Sequence, residues 1–293
     1  MTFVGGSVGV SHELVRAPLF FAQALRYAVA AVLLVLLGRA RHVRVVRPRG
    51  REWLWLGGLA ASGLVLFNVA VVRGVAHAEP AVIAVAIACV PVILGVFGPL
   101  LEGARPRRQL LVAAVIVTLG AALVEGIGRA DAIGIAWAVV ALLCEAGFTL
   151  LAIPLLPRHG ADGVAFHSVW VASVMLAALA LCTERVTAAF SFDAGQWVAI
   201  AYLAACVTAA ALVLWYSAVR GLGAATAGLL TGVAPVSAAV SGTLTGAAAP
   251  TAGVWVGIAL VGVGLACGLR TDQRAGTTGG RGRSRYSAAA PAE

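Results

Sequence analysis

The chain has 293 residues, of which 61% are apolar and 11% charged, and its formal charge is +9. So little polar surface cannot wet a soluble globule of this length, which excludes an ordinary water-soluble enzyme and leaves a polytopic membrane protein. The positive charge does not point to nucleic acid, because the arginines are spread over short segments between apolar runs.

Taken in chain order, the first stretch, Met1 to Val10, is apolar and glycine-rich but only half a membrane span long before His12, Glu13 and Arg16 interrupt it. It predicts a first helix that is short, or one whose start lies upstream of Met1. A cleaved signal peptide is disfavoured, since no basic region precedes the apolar stretch. Nine clear runs follow, near 19–38, 54–72, 80–101, 110–124, 132–153, 164–182, 197–218, 222–245 and 252–269. Each approaches the roughly 20 residues that cross about 30 Å of hydrocarbon at about 1.5 Å per residue. The expected fold is an all-α membrane protein of ten transmembrane helices. The tail, 271–293, is rich in Gly, Ser, Thr, Arg and Ala without periodicity and reads as disordered.

Arginine placement sets an expected orientation. Arg39, Arg41, Arg44, Arg47, Arg49 and Arg51 cluster after the 19–38 run, and Arg105, Arg107, Arg108, Arg158, Arg220 and Arg270 fall on the same side. The opposite loops hold Arg16, Arg73, Arg129 and Arg185, diluted by Glu79, Glu125, Asp131, Glu184 and Asp193. The positive-inside rule then puts the arginine-rich loops in the cytoplasm, the protein in the cell membrane, and both termini of a ten-span chain inside.

Two stretches read as one unit written twice. Pro91, Pro106 and Gly120 recur as Pro235, Pro250 and Gly264, each 144 residues on, and Val72-Arg73-Gly74 recurs as Val219-Arg220-Gly221 at 147. The predicted units are residues 1–126 and 131–270. Five spans per unit, an odd number, force the second copy into the bilayer inverted, the architecture of alternating-access carriers whose site lies between the repeats.

Residues 24–27, Ala-Leu-Arg-Tyr, open a helix; Leu101-Glu102 closes a span; and the run from Val219 to Ala227 enters a helix that meets Pro235. On these segments the chain resembles the EamA family of the drug/metabolite transporter superfamily. The resemblance implies a ten-helix inverted-repeat carrier for small metabolites, often amino acids or their relatives, with a central cavity lined from both halves. There are departures: the aromatic-glycine opening of the first helix is lacking, three extra residues stand between Arg73 and Pro91, and Gly246 stands where Glu102 stands in the first unit.

The candidate substrate and coupling residues are Glu145, Asn68, Arg26, Trp215 and Tyr216. Glu145 lies deep in the 132–153 run, where an unpaired carboxylate is costly and must face protein or water. A carboxyl group held out of water exchanges protons nearer neutral pH than a solvated one, the property a proton-coupled carrier needs. A neutral acid bonded to a neighbouring helix is the plain alternative. Arg26 lies about 10 Å along its helix, too deep to snorkel easily, and its structural role of tying that helix to a neighbour outweighs substrate contact. The offset of 147 carries Asn68 onto Trp215, an amide and an aromatic expected across a shared cavity, or interhelical glue and an interfacial belt. For Tyr216, near a helix end, the belt reading is the stronger. Pro91 and Pro235 fall mid-span as mates and are expected to kink their helices and free carbonyls toward the cavity.

Other motifs carry little. Gly5-Gly6-Ser7-Val8-Gly9 matches a hydrolase nucleophile pattern without a preceding strand, so an intramembrane hydrolase is the weakest alternative, behind a non-transporting membrane partner. His77 and Glu79 read as a solvated loop pair. The five cysteines lie within apolar runs at no metal-ligand spacing, so neither metal nor cofactor is expected. Gly253-x-x-x-Gly257 and Gly264-x-x-x-Gly268 suit internal packing and a homodimer equally. The reading is a secondary carrier, not an enzyme, whose partners are a small-molecule substrate, the bilayer and a proton as the coupling-ion candidate.

Overall fold

The computed structural model describes residues 18–43, 45–126, 128–184, 192–244 and 251–283. Among them the chain is helical, and nine helices are long and apolar enough to cross a membrane. These are α1 (Leu19–Ala40), α2 (Glu52–Gly74), α3 (Pro80–Leu101), α4 (Arg108–Glu125), α5 (Ala132–Leu150), α6 (Leu156–Thr183), α7 (Ala194–Leu222), α8 (Ala224–Ser241) and α9 (Ala252–Arg270). All nine apolar runs are thus helices. The expected first helix, Ser7, Pro250, Gly246 and residues 284–293 lie outside the described residues. Beyond Arg270 the last helix continues to Arg283, across part of the stretch whose composition reads as disordered.

Local chemistry sets the helix ends. Asp131 and Asp193 accept from the Gly134 and Gln196 amides and cap α5 and α7, the latter as a full capping box. Pro80 opens α3, where its missing N–H is no loss. α7 stops at Gly223, whose φ of 79° is a conformation that side-chain-bearing residues avoid. The same glycine is the residue from which α8 starts.

Five helices are irregular, α6 among them at Gly160, whose φ of 66° breaks the helix near the arginine face. α2 and α7 carry π-helical stretches at Ala60–Leu66 and Leu203–Ala210, and α3 is interrupted at Cys89, two residues before Pro91. α8 passes through a 3₁₀ turn at Leu230–Gly232 before Pro235. Proline removes a backbone donor, and a π turn shifts the hydrogen-bond ladder, so each break leaves a local bend.

Consecutive helices alternate in direction, which gives the bundle two faces. The arginine face carries the α1–α2, α3–α4, α5–α6 and α7–α8 connections, including Arg41, Arg47, Arg49, Arg51, Arg105, Arg107 and Arg158. Here Arg158 bonds Glu52 and the Arg47 carbonyl, the Arg49 amide donates to Glu52 at 2.7 Å, and Arg41 meets Asp162 at 3.1 Å. The Ala224 amide donates to Glu102 at 2.8 Å, joining the end of α3 to the start of α8. On the far face Glu184 accepts from the Phe20 and Phe21 amides at 2.9 and 3.0 Å, joining α6 to α1.

The glycine motifs of α9 are used inside the protein. A Cβ on Gly257 would stand 2.6 Å from the Gly120 carbonyl oxygen, and one on Gly264 2.7 Å from Val117. α9 and α4 therefore meet backbone to backbone, which only small residues allow. The largest core cluster, with Leu56, Leu59, Leu155, Val164, Leu176 and Tyr216, lies among α1, α2, α5, α6 and α7.

Candidate functional site

A cavity of about 520 Å³ opens among α1, α2, α3, α4, α5, α7 and α8. Four of the five irregular segments contribute to its wall, the break in α6 being the exception: Gly63 and Leu64 from the π stretch of α2, Val207 from that of α7, Ile87 and Ala88 beside the break in α3, and Leu230 to Gly232 with Pro235 in α8. A regular helix presents a close-packed flank, whereas a bend leaves room beside it. Non-helical backbone at membrane depth is tolerated where it borders a cavity, and these breaks do.

The cavity lies toward the far face. Ala84 is in the first turn of α3, Glu125 ends α4 and Ala238 is near the end of α8. Toward the arginine face the same helices close on each other. A Cβ on Gly98 would stand 2.9 Å from Ala224 Cβ, and one on Gly228 3.0 Å from Leu94. Leu94, Leu56, Leu59 and Leu155 are buried there. α3 and α8 thus touch on one side of their breaks and line the cavity on the other.

Most of the residues singled out from sequence meet here. Arg26, Asn68, Glu145, Trp215 and Pro235 all line the cavity. Arg26 donates from Nε to Thr208 Oγ1 at 2.8 Å and from a terminal nitrogen to Gln23 Oε1 at 3.3 Å, so it ties α1 to α7 while its charge borders the cavity. Its guanidinium stands 5.4 Å from the Tyr27 ring centroid. Asn68 donates to the Leu64 carbonyl at 2.6 Å and to the Tyr27 hydroxyl at 3.3 Å. Trp215 donates from its indole to Thr149 Oγ1 at 3.1 Å, which fixes the ring. Among the described residues Glu145 has no hydrogen-bond or ion-pair partner.

Two candidates lie elsewhere. Tyr216 is fully buried, its ring 5.4 Å from that of Phe148, and its hydroxyl has no partner at hydrogen-bonding geometry, although Ser168 is beside it. A ring enclosed by the bundle cannot belong to an interfacial belt, which corrects that reading. Pro91 is buried next to the cavity-lining Ala88 and does not itself line the wall. Sequence reading also passed over Glu125, Tyr27 and Thr231, all of which line the cavity. In the sequence Glu125 directly follows the apolar Val124 and so reads as the first charge of the loop after that run, whereas it is the last residue of α4.

A second hollow, of about 470 Å³, lies at the far face between the α2–α3 and α4–α5 loops. There His77 Nδ1 pairs with Asp131 at 3.0 Å, and the Glu79 amide donates to the Arg129 carbonyl at 2.9 Å. Asp131 titrates below the usual aspartate range because it accepts from the Gly134 amide and, secondarily, from His77. No group of three or more metal-ligating side chains occurs among the described residues.

Comparison with known proteins bears on this arrangement. The profile of the EamA-like transporter family matches residues 1–126 and again 132–269. The uncharacterized transporter YetK of Bacillus subtilis (strain 168) is 26% identical over 253 residues, covering 82% of this chain and 75% of that protein. A solved crystal structure, described only as that of a protein, has a TM-score of 0.77 at 18% identity and covers 93% of this chain and 96% of its own. That likeness shows the fold alone.

Proposed function

The chain belongs to the EamA-like transporter family and is a multi-pass membrane transporter, and from that premise we propose that it is a secondary carrier moving a small organic metabolite by alternating access, with amino acids and related compounds as the first candidates. The observation that carries the proposal is the central cavity, which gathers Arg26, Asn68, Glu145 and Trp215 from four different helices at the breaks of four others or their own. Small-molecule sites are mostly apolar hollows of about 300–1,000 Å³ with a few placed polar groups, and this one fits.

The two-unit, ten-helix reading is part of the proposal. It is supported by the double family match, by π stretches in both α2 and α7, and by proline-associated breaks in both α3 and α8. In this conformation the cavity faces the far side, and the arginine-face halves of α3 and α8 are its closed gate, held by Glu102 on the Ala224 amide. The opposite state needs these halves to part about the breaks while the far-face halves close. Glu145, without a protein partner in the cavity, is the coupling candidate, and the proton is the ion assigned to it.

Transport screening tests the function: cells overproducing the protein are compared with control cells for uptake and efflux of amino acids first, then related metabolites. Directional flux of at least one compound is expected, and its absence across the panel from a correctly inserted protein sinks the carrier reading. Orientation is tested by single cysteines. Positions in the 39–52 segment are expected to be shielded from impermeant maleimide in intact cells, and positions in the 126–131 segment to label; the reverse pattern inverts the assignment.

A further inference from the structure

We propose that the compound admitted to the central cavity is an organic cation, its ammonium group drawn in past Glu125 at the mouth and received by Glu145 deeper in, against an aromatic wall. This deepens the carrier reading and rests on it.

Three formally charged side chains line the cavity: Arg26, Glu125 and Glu145. Helix position sets their depths. Glu125 is the last residue of α4, at the far face; Arg26 lies seven residues past Leu19, and Glu145 thirteen past Ala132, about 10 and 20 Å deep at about 1.5 Å per residue. Arg26 is within ion-pair reach of neither carboxylate, since among the described residues its bonds go to Thr208 and Gln23. Among the described residues neither carboxylate has a hydrogen-bond or ion-pair partner either. When both carboxyl groups are ionised, one guanidinium and two carboxylates give the lining an excess of negative charge, with one carboxylate at the mouth and the other deeper in.

The aromatic part of the wall suits a cation as well. Phe148 lies three residues beyond Glu145 and so on the same side of α5, and Phe67, Tyr27 and Trp215 join it around the cavity. Aromatic faces attract ammonium groups and offer nothing to a carboxylate. The Trp215 indole N–H is engaged by Thr149, so that side chain presents ring rather than donor to a ligand. An anion would have Arg26 as its one charged attractor and would pass a carboxylate to reach it. An uncharged compound would leave both carboxylates unanswered in a low-dielectric hollow.

The test uses the purified full-length protein and three probes matched in shape: 2-phenylethylammonium, 3-phenylpropionate and 2-phenylethanol. Calorimetric titration is expected to find the cation bound about tenfold or more tightly than the other two. Glu145→Gln is expected to weaken cation binding by about tenfold, and Glu125→Gln by about threefold with a flatter dependence on salt. Gel filtration and a near-native melting temperature establish that each variant is folded, and Glu145→Asp is expected to restore part of the affinity. Equal or tighter binding of the anion or the alcohol, no binding of any probe, or cation affinity indifferent to Glu145→Gln would each overturn the proposal. Counterflow in proteoliposomes separates it from the carrier reading. Flux confined to anionic or uncharged compounds leaves a carrier and overturns the charge assignment, whereas selective cation binding with no flux of any compound keeps the assignment and sinks the carrier.

Discussion

The arginine face and the cavity treat charge in opposite ways. At the arginine face Glu52 is bonded to Arg158 and the Arg49 amide, Arg41 meets Asp162, and Glu102 accepts from Ala224. In the cavity Glu125 and Glu145 have no hydrogen-bond or ion-pair partner among the described residues, though they lie where solvation is poorer. Cost runs the wrong way for stability: the carboxylates that most need partners are the ones without them. Bonds at the arginine face hold a conformation, and unbonded groups in the cavity wait for something that is not protein.

That contrast can be broken experimentally, and the largest effect belongs to Glu145. Glu145→Gln keeps the shape and removes the titration, so exchange of substrate is expected to persist, though at about tenfold higher substrate concentration, while gradient-driven accumulation is lost entirely; unchanged accumulation in a normally expressed variant makes Glu145 structural. Next comes the backbone contact of α9 with α4. Gly257→Leu must push the Gly120 backbone away and is expected to cost about 2–3 kcal/mol, read as a lowered melting temperature in detergent. Glu102→Ala removes the acceptor on the Ala224 amide, for about 1 kcal/mol of stability, and shifts the protein toward labelling, from the arginine face, of a single cysteine introduced at the cavity-lining Ala218. Glu52→Gln is smaller, about 0.5–1 kcal/mol, since both it and Arg158 are partly solvated. A loss as large as that of Gly257→Leu would make the network the main lock.

Smallest is the effect of Asp131 at the far face. Its folded-state pKa is depressed, first by the Gly134 amide and then by His77. Its contribution is therefore present above the ordinary aspartate pKa of about 3.9 and is lost as pH falls through the lower folded value. A melting curve series from neutral to acid pH is expected to show a slightly weaker decline for Asp131→Asn than for the parent.

Sequence reading recovered the nine helices because each run is long, apolar and bounded by charge or glycine, signals that need no tertiary information. Among site residues it found Arg26, Asn68 and Glu145 by depth, since a polar group inside an apolar run stands out along the chain. Depth alone does not say which way a side chain points. Trp215 and Tyr216 are adjacent, so they lie about 100° apart around α7, and one lines the cavity while the other enters the core. The Glu184 and Glu102 caps were also illegible, because each joins residues more than a hundred positions apart and is made to backbone amides that carry no sequence signature.

Gly223 is the whole connection between α7 and α8. A joint one residue long has no slack, so the first turn of α8 cannot leave its place without dragging the last turn of α7 along. Two turns back on α7 stands Trp215, in the wall of the cavity, with Ala218 between. The helix pair is therefore a bent lever with its elbow at Gly223, and its two arms report to each other. Prying Ala224 from Glu102 at the rim tugs the indole beside the ligand, and a ligand pressing on the indole loads the latch at the rim.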